Sequence, residues 1–149
     1  MMNDSALRMK ELLDKGWIKL WMIFEVQAAD KAVCEAALKK HIRDMGSEES
    51  VEVVEKSFAD IDEIDVPEGL KQRGVKVMFT QVCEVTMMAK DFEGIVNVVI
   101  NYAPTAVEIM APEKITLSMR DAQNALVSVA DMMHKFARAG IGGMLIKGG

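Results

Sequence analysis

Asp91-Phe92-Glu93-Gly94-Ile95-Val96-Asn97-Val98-Val99-Ile100-Asn101-Tyr102 admits two structures, and the choice between them arranges the rest of the chain. Ile95 to Ile100 is largely β-branched, which suits a strand. Yet Glu93, Asn97 and Asn101 recur every four residues. On a helix they form one polar line, with Phe92, Ile95, Val96, Val99 and Tyr102 opposite. Asp91 supplies an N-cap and Pro104 a stop. Propensity differences are tenths of a kcal/mol per residue, whereas periodicity reports which face is buried over the whole segment. The segment is therefore expected to be a helix.

The neighbouring segments then fall into order. Upstream, Trp17 to Val26 is a strand with a wholly apolar face of Ile18, Leu20, Met22, Phe24 and Val26. Asp30 caps a helix whose buried stripe is Val33, Ala37, Leu38, Ile42 and Met45, with Gly46 expected in the left-handed position that ends it. Val51 to about Ile61 is a second strand and Val75 to about Thr86 a third. Between them lies an acidic link containing Asp60, Asp62, Glu63, Asp65 and Glu68. Downstream, Ala106 to Met110 is a fourth strand, with an extension toward Leu117 interrupted by Pro112. Ser5 to Lys15 is a short helix capped by Ser5 and ended by Gly16.

Residues 17–111 thus read strand, helix, strand, strand, helix, strand. The expected fold is α+β: a βαββαβ core with a four-stranded antiparallel sheet, a short N-terminal helix and a long C-terminal amphipathic helix. In element order the chain resembles the ferredoxin-like, split βαβ fold, as in small uncharacterised α+β proteins common in archaea. The resemblance concerns topology and carries no named family motif, and such a fold hosts many functions. The divisions are an N-terminal helix, 1–16; the α+β core, 17–117; the C-terminal helix, 118–139; and a Gly-rich flexible tail, 140–149, with five of the ten glycines.

Two helices cover only one face of such a sheet. The other would display Trp21, Ile23, Met78 and Val82, an apolar set that calls for a cover. The N-terminal helix, the C-terminal helix or the sheet of another subunit could supply it. Met119, Ala122, Leu126, Val129, Met133 and Phe136 follow at steps of three and four, on one helical face. The stripe is shorter than the three or four heptads of a credible coiled coil. It is expected to act as a lid on the chain's own sheet, with a partner's surface as the alternative. These ten residues form the expected interface. Ile141, Met144, Leu145 and Ile146 in the tail are a further element that could dock on a neighbour.

Composition narrows function by exclusion. The net charge of −5 and the short basic clusters, Lys39-Lys40-His41 and Lys71-Gln72-Arg73, argue against nucleic acid. No apolar run is long enough to span a membrane. The start, Met1-Met2-Asn3-Asp4-Ser5, lacks a basic n-region and an apolar h-region. Cys34 and Cys83 lack CxxC spacing, so a reducing cytoplasm with free thiols is expected. Thirteen methionines suit adaptable cores and contact surfaces.

No catalytic, metal or cofactor motif stands out. His41 lies seven residues from Cys34 and shares its helix face, but a buried idle thiol is the commoner outcome. His41 and His134 belong to no HxH or HExxH pattern. The acidic link lacks the order of a calcium loop and reads as a solvated hairpin connection. Arg73-Gly74 precedes a strand without the aromatics that stack bases. Gln27-Ala28-Ala29-Asp30 lacks the glycine of amino-acid-binding regulatory turns. The line Glu93, Asn97, Asn101 reads as the wet side of a helix. No cofactor or metal is expected, and no catalytic residue is identified. The leading expectation is a non-enzymatic, self-associating binding or assembly module, a homo-oligomer with a further protein partner conceivable through the C-terminal helix or tail. The alternative is a small-metabolite-binding regulatory domain, and an enzyme using Cys83 with Glu84 or the acidic link ranks last.

Overall fold

Alternation and capping set out ten elements in the computed structural model, which describes residues 3–140. They are α1 (Asp4–Asp14), β1 (Ile18–Ala28), α2 (Lys31–Gly46), β2 (Val51–Phe58), β3 (Asp62–Ile64), α3 (Glu68–Lys71), β4 (Met78–Ala89), α4 (Phe92–Tyr102), β5 (Ala106–Ala111) and α5 (Met119–Arg138). The four apolar residues expected to form a docking tail lie outside the described residues. The disputed stretch is helical. Asp91 accepts a 2.8 Å hydrogen bond from the Gly94 amide, which satisfies a donor that the first turn leaves free. Asp30 and Ser118 cap α2 and α5 likewise. The α1 cap is Asn3, not Ser5: Asn3 Oδ1 accepts from the Ala6 amide, and the helix begins one residue earlier.

The sheet is antiparallel, with β2, β4, β1 and β5 side by side in that order. This is the order that a βαββαβ chain takes when both crossovers lie over one face. It holds five strands among the described residues rather than the four expected. β4 outruns β2: their pairing ends at Phe58 opposite Cys83, leaving Thr80 to Met78 with free edge groups. Asp62–Ile64, in the supposedly solvated acidic link, pairs there as β3 and closes that edge. β4 also sits three residues later than its alternation suggested, because Ile18 at the start of β1 pairs with Ala89. β5 ends at Ala111, immediately before Pro112.

The main core lies between the sheet and α2 with α4. Leu20, Met22, Phe24, Cys83, Val85 and Met87 form its floor, roofed by Leu38, Ile42 and Met45 of α2 and by Ile95 and Val98 of α4. Two expected stripes are rotated. Cys34, not the exposed Val33, is the buried residue in the first turns of α2. In α4, Val98 is buried while Val99 faces out. Gly46 is helical and not left-handed; a Cβ there would stand 3.3 Å from Val53 Cγ2, so the glycine serves close approach to β2.

One end of the second sheet face is covered by α1. This helix touches β1 and β2, which flank β4, and so lies across β4. Leu12 and Met88 are both sealed from solvent beneath it. A two-pronged pair, Arg8 Nε and Nη2 to the Glu52 carboxylate at 2.7 Å each, ties α1 to β2. The Arg8 guanidinium holds the Glu52 carboxyl below its usual range.

Candidate functional site

The lid expected for the open sheet face is elsewhere. α5 packs on α4, on the side of the molecule away from α1. Ala125 is buried, and Asp121, Asn124, Ser128 and Met132 are half-buried along the flank that meets α4. Asn97, Ile100 and Asn101 of α4 line a cavity of about 160 Å³ together with Ser128, Asp131, Met132 and Lys135. At the other end Asp121 shares a cavity with Asp91 and Phe92, so the two helices run side by side in the same direction. Asn97 and Asn101 of the polar line thus lie beside α5, while Glu93 lines a separate cavity with Glu49, Ser50 and Lys90. α1 already occupies one end of the far sheet face, and an amphipathic pattern cannot say which surface its apolar side meets.

This polar docking turns the apolar side of α5 to solvent. Met119 is 83% exposed, Leu126 71%, Val129 38%, Met133 53% and Phe136 46%, with Ala122 half-buried at the border. Helices of soluble domains normally bury the apolar stripe and leave the polar one wet. Here the arrangement is inverted, and the exposed residues form a continuous seam of the a/d type.

The other four expected interface residues lie apart, on the α1 side of the sheet. Trp21, Ile23 and Val82 are half-buried and Met78 is buried. The structure thus does not join the ten residues into one surface. It adds Val107 and Ile109 of β5, which stand opposite Met22 and Leu20 on the helix side of an edge strand and remain exposed. Their alternation was visible in the sequence, but the sequence did not show that β5 reaches beyond the helices.

The candidate chemical groups are spoken for. Cys34 and Cys83 are free and buried, and burial pushes both thiols up. The Cys34 Sγ–H points at the Val26 carbonyl, 3.3 Å away. His41 does not face Cys34. Its Nε2 is 2.8 Å from the Tyr102 carbonyl, and its ring stands edge-on to both Phe24 and Tyr102. It ties the end of α4 to α2. The Tyr102 hydroxyl donates to Glu48 at 2.6 Å, which pushes the phenol up to about 12. Among the described residues, no three His, Cys, Asp or Glu side chains converge to hold a metal ion, and no helix is long and apolar enough to cross a membrane.

No curated protein and no solved structure matches the chain. A family model does, over residues 19–143, from the start of β1 past the end of α5. The match takes in the α+β core and the striped helix together, and the chain belongs to the MJ0538 family.

Proposed function

We propose that the chain is a non-enzymatic, self-associating binding or assembly module, and that copies meet through α5. One observation carries this reading: the apolar stripe of α5 faces solvent while Ala125 and its half-buried neighbours Asp121, Asn124, Ser128 and Met132 face α4. The exposed fractions of its five large side chains amount to about three whole side chains per copy. Burying an aliphatic or aromatic side chain contributes about 1.5–3 kcal/mol. Two copies facing each other would then gain about 9–18 kcal/mol, against an association cost of about 4–15 kcal/mol. The gain is of the same size as the cost, so the exposed stripe is large enough to offset association, with Ala122 permitting close approach.

We read the core as ferredoxin-like, a rigid platform that presents α5, and the free thiols support a reducing, cytoplasmic setting. Light scattering on the purified chain across a concentration series tests the proposal. A mass that rises to a defined dimer at micromolar concentration is the expected result. A monomer at high micromolar concentration would sink it.

A further inference from the structure

We infer that a cleft between α2 and the edge strand β2 is a binding site for a small organic carboxylate with an apolar body. The cleft has a volume of about 460 Å³, within the range of ligand pockets. Its floor is Ile42, Val53 and Phe58, and its rim carries Lys39, Arg43 and Lys56 with no acidic side chain among the lining residues. Three cations around an apolar floor stand out on a chain of net charge −5.

The placement of Lys56 follows from the backbone. Strict alternation from Val51 and Val53 would put Glu55 and Ser57 on the core side of β2 and send Lys56 to the other face. The register instead steps between Val53 and Glu55, so that Lys56 stands opposite Val85 and Phe58 opposite Cys83. Both partners are core residues. Such a bulge re-aims the side chains that follow it. Here it turns one charge and one aromatic ring toward α2. Gly46 keeps the cleft open, since any side chain there would press on Val53.

The charge balance specifies the ligand. Lys39 is engaged by Glu35 at 2.9 Å. Arg43 and Lys56 make no ion pair among the described residues. A guanidinium beside an ammonium suits one carboxylate, which an arginine fork can grip through both oxygens. The floor suits a short aliphatic or aromatic body. This site is remote from the α5 stripe in sequence and in lining residues, and it does not depend on self-association.

Sodium octanoate is the probe, titrated into the ¹⁵N-labelled chain and followed by amide chemical shifts. Saturable shifts confined to residues 39–46 and 53–58 are expected, at low-millimolar affinity or tighter. Arg43→Gln combined with Lys56→Gln should weaken that binding at least about tenfold, while leaving the fold intact because both side chains are exposed. Octanol and inorganic sulfate should each leave the cleft amides unmoved at the same concentrations. Any of three results would overturn the inference: no saturable shift, octanol binding as well as octanoate, or a double variant that binds unchanged. In the last case Lys56 would only guard the strand edge against pairing.

Discussion

Replacing Leu12 by Ala should cost more stability than removing the whole of α5. Leu12 is the single buried residue of α1 and is 2% exposed. It seals the sheet face on which Met88 is wholly buried. Leu-to-Ala changes in cores cost about 2–5 kcal/mol, the higher values arising where the surroundings cannot collapse. α1 is a single helix lying on a sheet and can settle partway, so about 3 kcal/mol is expected, or roughly 6–12 °C in Tm for a chain of this size. Ending the chain before Ser118 removes a helix that fully buries only Ala125 and Ala137 and half-buries Asp121, Ala122, Asn124, Ser128 and Met132. At ordinary burial energies that is about 1–2 kcal/mol. Urea unfolding followed by circular dichroism measures both, with Leu126→Glu present in the full-length forms so that association does not contribute. The midpoint should fall in Leu12→Ala with little change in slope. A truncation that destabilises more than Leu12→Ala would refute the placement of α1 over the sheet and return α5 to the role of lid.

Two backbone substitutions should act in opposite directions. Ala103 ends α4 at φ 45°, in the left-handed region, so Ala103→Gly should stabilise by about 0.5–1 kcal/mol in the same urea assay. Gly94→Ala should destabilise by about 1–3 kcal/mol, because a Cβ would stand 2.9 Å from Ser50 Cβ. Tyr102 is the only tyrosine, so absorbance near the tyrosinate band reads it directly. Its native midpoint should lie near 12, and Glu48→Ala should bring it back toward 10. The folded pKa is raised, so the contribution of this contact is full below about pH 10 and is lost as pH climbs toward 12. Cys34 and Cys83 should resist a thiol-reactive dye in the native protein and react together once it is unfolded; rapid native labelling of Cys83 would reopen thiol chemistry.

The elements were legible where one physical signal dominated. Ile95 to Ile100 is helical against its strand propensity, as the helical spacing of Glu93, Asn97 and Asn101 indicates. The strand–helix order then constrained the sheet. What could not be read was long-range. β3 exists because β4 is longer than β2, a relation between strands that no local pattern contains. The inward turn of Lys56 depends on one extra residue in a ladder. The stripe of α5 was plain in the sequence, but its orientation was not. α5 packs on α4 through the flank that carries Ala125, and its apolar face is left to solvent.

Sedimentation equilibrium of the full chain beside its Leu126→Glu, Met133→Glu variant tests the self-association claim most directly. Both residues are more than half exposed, so the variant should fold with unchanged stability within about 0.5 kcal/mol. The account predicts a concentration-dependent dimer for the unmodified chain. The variant should remain monomeric, its dimer weakened by a factor of at least about a hundred, because two lost apolar contacts per copy are replaced by buried, mutually repelling carboxylates. Equal association constants for the two proteins would contradict it.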